Sequence, residues 1–359
     1  MGTRCGSACG LAVAKRATRA VRISSSAHGS IPGELIASAP VRPLALALTV
    51  QRVCRTISAM IVRTIFFNPA GRVRAGWRVL VFSALVLTLG PLGGVLLSVA
   101  FPTSRASGAG AQMLVYIGLI GATLLASAIC LRWLDRRPFR SLGYQWRRHG
   151  WREYLLGLGL AALMITLLVL IQLPLGHVRL QLEERSVTET ASGTVLAFLF
   201  FNVAAAFEEF LFRGYLLQTL LLDVRPTIAV SVPSVLFGLG HAGNPGASGL
   251  SIFNTVLAGI WLSIAYLKTQ RLWLPIGLHA GWNFTMSAIY GLTVSGIEEQ
   301  IGASLFRAAQ TGPTWLTGGS YGPEGGVLVT GLLIGASLWL WRTPGLRPHE
   351  EMPEASFET

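Results

Sequence analysis

Residues 204–215 read AAAFEEFLFRGY, with GTVLAFLFFNV before them and LLQTLLL after. Glu208, Glu209 and Arg213 therefore stand inside an otherwise apolar run. A charged side chain at the centre of a membrane helix costs about 2.5–3.5 kcal/mol on an insertion scale, so such residues face a protein interior and find partners. Glu209 and Arg213 are four apart, on one helical face and one turn apart, and can form an ion pair. Glu208 is rotated about 100° from Glu209 and has no partner on its own helix, so it must face another helix or water. Read alone, the stretch also fits a helix end at the membrane interface, with Arg213 snorkelling toward the headgroups.

Two further polar clusters stand in apolar runs. His241 lies in SVLFGLGHAG, and His279 and Asn283, again four apart, lie in LPIGLHAGWNFTMS. A single intramembrane His is more often a helix-packing hydrogen bonder than a catalyst, but three clusters on three runs are harder to explain by packing. Together they make a kit for amide hydrolysis by an activated water. Glu208, among apolar residues, suits a general base or acid, and an imidazole across from it can help hold and deprotonate a water. His279 and Asn283 can donate to an oxyanion as a carbonyl becomes tetrahedral. Arg213 holds Glu209 in place. Ser234, Ser287 and Cys130 lie on apolar runs without the context of a nucleophile. The same residues allow a second reading, in which Glu208, His241 and His279 bind zinc with a water in the fourth position. There is no H-E-x-x-H pattern.

The elements that must position these groups follow from composition. The chain has 359 residues, 52% apolar and only 13% charged, with mean hydropathy +0.56. Soluble domains carry about a quarter charged residues. The pattern is that of an all-α, polytopic membrane helix bundle. The net charge of +13 does not point to nucleic acid, because the basic residues sit in short segments between apolar runs, as membrane loops do. Eight transmembrane helices are expected, at about 79–101, 110–131, 154–175, 193–222, 227–243, 249–267, 272–293 and 325–341, near the ~20 residues that cross a bilayer. The fifth and sixth are short and Gly-rich. Arginines collect on every second connection: Arg63, Arg72, Arg74 and Arg78 before the first span, Arg132 to Arg152 after the second, Arg225 after the fourth, Lys268 and Arg271 after the sixth. Both termini are therefore expected in the cytoplasm. Measured inward from the cytoplasmic ends at 1.5 Å per residue, Glu208 and His241 fall at about 20 Å, Asn283 at about 16 Å and His279 at about 10 Å, within one layer of the bundle.

Three segments complete the organisation. Residues 1–59, rich in Arg, Ser, Ala and Gly, are expected to be an unstructured leader: a targeting segment or, preferred here, sequence ahead of a start at Met60. Cys5 and Cys9 in it lack a second pair at metal-ligand spacing. Residues 60–343 are the membrane domain, with its core at about 193–293 and an external Gly-rich loop at 294–324. Residues 344–359 are expected to be a disordered cytoplasmic tail.

The three motifs, E-E-x-x-x-R in EEFLFR, F-x-x-x-H in FGLGH (Phe237, His241) and H-x-x-x-N in HAGWN, occur in order and with the spacing of the CPBP intramembrane proteases, which the chain resembles over about 193–293. That family includes CAAX prenyl endopeptidases, bacteriocin-processing and immunity proteins, and lysostaphin-resistance-like proteins. The resemblance implies an eight-span endopeptidase acting on a peptide or protein within the lipid bilayer. It implies Glu208 and His241 on the nucleophilic water, Glu209 and Arg213 in support, and His279 with Asn283 near the oxyanion. The family is generally labelled metalloprotease, and a metal-free glutamate mechanism is also argued for it. Compact loops and the preference for Arg over Lys point to a bacterial plasma membrane, where a prenylated protein is not the expected substrate. Two other readings stand beside this one: a non-catalytic immunity or scaffold protein of the same fold, and an ion-coupled transporter, which would show internal repeats and broken helices at matched positions.

Overall fold

The computed structural model describes residues 43–100, 108–145, 150–297 and 302–346. Residues 1–42 of the expected leader with Cys5 and Cys9, the loop positions Arg105, Arg147 and Arg148, and residues 347–359 of the expected tail lie outside the described residues. The chain divides into two compact units, residues 1–74 and 75–359.

In the first unit, helix α1 spans Pro43–Phe66. It covers the last part of the segment expected to be unstructured and runs without a break through Met60. A turn follows, closed by the Asn68 side chain accepting from the Arg72 amide and by Gly71 at φ 72°. The Arg74 guanidinium donates to the Thr64 carbonyl.

The second unit holds α2 (Ala75–Ala100), α3 (Ala109–Cys130), α4 (Gly150–Gln172), β1 (Val178–Leu182), α5 (Val187–Glu209), α6 (Leu217–Leu221), α7 (Pro226–Gly240), α8 (Gly249–Thr269), α9 (Trp273–Phe284), β2 (Phe306–Gln310), α10 (Thr314–Thr317) and α11 (Val327–Arg342). Among the described residues, five helical stretches are long and apolar enough to cross a membrane: Ala75–Leu97, Ala109–Asp135, Gly150–Gln172, Val187–Leu221 and Gly249–Thr269. The other three expected spans are shorter. The helix at the fifth has 15 residues, that at the seventh 12, continued by a π-helical turn, and that at the eighth 16. The fifth ends at Gly240, where the chain enters a glycine-containing turn, and the seventh ends where Tyr290 and Gly291 turn the backbone.

The all-helical reading missed one feature. VRLQL and FRAAQ pair as a two-stranded antiparallel sheet, with Leu180 opposite Ala308. This sheet ties the connection after α4 to the segment read from sequence as an external loop.

Helix α9 packs along α4, α7 along α8, and α2 along α3. Close approach is built in by glycine. A Cβ on Gly277 would lie 2.2 Å from the Tyr154 carbonyl oxygen, so α9 meets the backbone of α4 directly. Two buried polar networks brace the bundle. Arg78, wholly buried, bonds Asp135 and Asp223, and Asp135 also accepts from the Tyr215 hydroxyl at 2.7 Å. Arg271 bonds Glu153 at 3.1 Å. Arg78 and Arg271, counted above with the loops, are thus structural cations whose charge is largely matched inside the protein.

Candidate active site

The apolar run 187–209 is helical from a capping box, in which Ser186 and Glu189 satisfy each other's amides. After Glu209 the chain takes seven residues of π-helix, Phe210–Leu216. Single π turns recur at functional sites because the wider turn re-aims side chains. Here the turn carries Arg213 into the protein, and a second π turn at Thr285–Ile289 follows His279 and Asn283.

Glu209 and Arg213 form the expected ion pair, Nη1 to Oε1 at 2.8 Å, with both side chains fully buried. The pair is not isolated. Arg213 Nη2 donates to the Gly259 carbonyl at 2.8 Å, and its guanidinium lies 4.9 Å from the centre of the Phe237 ring. The same Glu209 Oε1 lies 2.9 Å from His279 Nδ1. The next atom in this series is Oε2 of Glu208, 3.7 Å from His279 Nε2. This Glu208 oxygen is buried and has no hydrogen-bond partner among the described residues.

Glu208, His241, His279 and Asn283 all line one cavity of about 340 Å³. Glu209 and Arg213 lie behind it. His241 is oriented by its own backbone: Nδ1 is 2.9 Å from the Phe237 carbonyl. A carbonyl only accepts, so Nδ1 carries the proton, and Nε2 of the neutral ring is an acceptor. His279 is oriented by Glu209 in the same sense. Phe237 contacts both imidazoles, with ring centres 4.8 Å from His241 and 5.9 Å from His279. The six residues expected from sequence therefore assemble in two layers: four on the cavity, two in support. The imidazole near Glu208 in this arrangement is His279, and His241, which the resemblance puts with Glu208 on a water, lines the same cavity.

The zinc reading requires donor atoms from Glu208, His241 and His279 to converge at about 2.0–2.2 Å from one point. Among the described residues, no group of three or more His, Cys, Asp or Glu side chains is gathered to hold a metal ion.

One cavity residue escaped the sequence reading. Glu324, in the segment taken for an external loop, accepts from the Trp282 indole at 3.0 Å and from the Ser295 amide and hydroxyl, both at 2.7 Å. Only its neighbours in space identify it. Its sequence context, GPEGG, reads as a turn.

The model of the Rce1-like family, type II CAAX prenyl endopeptidase Rce1-like, matches residues 190–285. All six site residues from Glu208 to Asn283 fall within that segment. No curated protein and no solved structure matches the chain.

Proposed function

We propose, from the match of the Rce1-like family model to residues 190–285 and in keeping with the CPBP membrane proteases, that the chain is an intramembrane endopeptidase in which Glu208 activates the water. The observation that carries this reading is the Glu208 carboxylate itself. Glu208 lines the cavity, and one of its oxygens, buried and without a hydrogen-bond partner among the described residues, lies 3.7 Å from an imidazole that is anchored on a buried Glu209–Arg213 pair.

Charge balance decides where a proton sits. Glu208, Glu209 and Arg213 bring two carboxylates and one guanidinium into a low-dielectric interior. One further proton, shared between His279 and Glu208, makes the set neutral. With it on His279, Nε2–H and the Asn283 amide are donors for an oxyanion, and Glu208 is free as a base. His241 Nε2 accepts one hydrogen of the water while Glu208 takes the other. The new C–O bond forms as that proton moves to Glu208, and the oxyanion is stabilised by His279 and Asn283. When the C–N bond breaks, Glu208 returns the proton to the leaving amine. Glu209 and Arg213 touch no substrate in this scheme. They orient His279 and stabilise its imidazolium, as the third member of a catalytic triad does.

We place the enzyme as a multi-pass protein of a bacterial plasma membrane, with both termini cytoplasmic and eight crossings. Three of these are made by the short helices α7, α9 and α11. The test is cleavage of a peptide library by the detergent-purified protein, compared with Glu208→Ala and His241→Ala. Both changes are expected to reduce turnover by about 10²–10⁴-fold. Undiminished cleavage by both variants would refute the proposal.

A further inference from the structure

The cavity has a second carboxylate. Both line it: Glu324 beside Asn254 and Ser295, and Glu208 beside His279. The two are linked through one face of α9. Glu208 meets His279, and Glu324 meets Trp282, three residues on and about one helical turn away. Glu324 is firmly built in. Both oxygens accept from N–H donors, the pattern of an ionised carboxylate. Its own carbonyl accepts from Asn254 at 2.8 Å. The turn that carries it fits against the opposite loop so closely that a Cβ on Gly322 would lie 2.1 Å from the Thr293 carbonyl oxygen. Burial, and after it the Glu324 carboxylate, push the neighbouring Tyr321 phenol up to about 12, with Glu208 adding to the rise. The negative field of both carboxylates thus reaches the same side chain.

Glu208 has the His279 imidazole 3.7 Å away, whereas the groups bonded to the Glu324 carboxylate are the neutral donors of Trp282 and Ser295. Among the described residues lining the cavity there is no Lys or Arg. Arg213 is spent on Glu209, behind the wall. A peptide ending in a free carboxylate beside Glu324 would put two like charges together with no Lys or Arg between them, and like charges so placed are rejected. A cationic side chain there would be matched.

We propose that Glu324 is a specificity-determining residue, selecting an internal peptide segment with a Lys or Arg side chain beside Asn254 and Ser295 in the cavity and disfavouring a carboxylate terminus there. This rests on the endopeptidase reading, and names the substrate class of that same cavity.

Binding is measured separately from cleavage, so that the two ideas fail separately. Fluorescent peptides differing at one position, Lys, Gln or Glu, and with an amidated or free C-terminus, are titrated onto the purified Glu208→Gln protein. The Lys peptide is expected to bind about tenfold more tightly than its Glu twin. That ratio is expected to fall toward one on adding Glu324→Gln, to invert with Glu324→Lys, and to shrink with rising salt in the protein carrying native Glu324. A purely structural role for Glu324 would weaken all peptides alike and leave the ratio unchanged, which would overturn the proposal. So would a preference for the Glu peptide or the free terminus. If a variant fails to fold, the salt dependence of the Lys-to-Glu ratio decides: a ratio that does not move with salt overturns it. Charge selection in binding with no cleavage by the wild type would leave this inference standing and count against the endopeptidase reading alone.

Discussion

Removing both partners of the Glu209–Arg213 pair should cost no more than removing either one alone. Both side chains are fully buried. Arg213 has Glu209 at 2.8 Å, the Gly259 carbonyl at 2.8 Å and the face of Phe237 to offset its charge. Glu209→Gln keeps the shape and an acceptor for His279 but leaves the guanidinium without a counter-charge. Truncating one side of a buried ion pair costs about 3–5 kcal/mol. The Gly259 carbonyl and the ring contact remain, so the low end applies, about 3 kcal/mol. Arg213→Met leaves Glu209 with only His279 at 2.9 Å and should cost about the same. In the double variant neither charge is stranded, and the expected loss is about 2–3 kcal/mol rather than the sum of about 6. The assay is equilibrium unfolding of the purified protein in mixed micelles, titrated with a denaturing detergent. Losses that add to within about 0.5 kcal/mol would show that the two groups do not act as a pair. The same assignment requires that Glu209→Gln lower kcat, because His279 loses the carboxylate that orients it and stabilises its protonated form.

Other consequences can be checked independently. Gly277→Ala should drive α9 from α4, since the added Cβ would lie 2.2 Å from the Tyr154 carbonyl; a loss of about 1–3 kcal/mol is expected in the same unfolding assay. Arg307→Ala breaks a bond to Glu183 from a side chain that is 65% exposed; the change in stability should stay under about 1 kcal/mol. Elemental analysis should find zinc well below one per chain, and turnover should persist in chelator; loss of activity in chelator restored by added zinc would favour the metal reading. A reporter fused after residue 148 should report the cytoplasm, and a signal from the opposite side would overturn the proposed orientation.

Much of the site was legible because its signals are local. Glu209 and Arg213 are four apart, and that spacing survives the π turn into which Arg213 falls. His279 and Asn283 share a helix, and His241 terminates one, so charge or polarity in an apolar run marked each of them. What was not legible depends on contacts distant in sequence. His279 meets Glu209 across 70 residues, and Arg213 meets Gly259 across 46. No periodicity encodes which imidazole faces Glu208. Glu324 was hidden because GPEGG has turn composition, and only Trp282 and Ser295 show that the turn folds back onto the cavity. The β1–β2 sheet escaped for a related reason. Five-residue strands inside loops carry too little alternation to stand out beside long apolar helices. Helix ends were set a few residues off, at about 243 where the helix stops at Gly240, and the seventh span was read as one uniform helix where α9 gives way after Phe284 to a π turn, since apolar composition does not record how the backbone winds.

The account stands most directly on Glu208 as the base. Glu208→Gln preserves size and hydrogen-bonding capacity but cannot take a proton from water. Single-turnover cleavage of a peptide that the wild type cuts should slow by about 10²–10⁴-fold with binding little changed. A Glu208→Gln enzyme that binds and cleaves at the wild-type rate would contradict it.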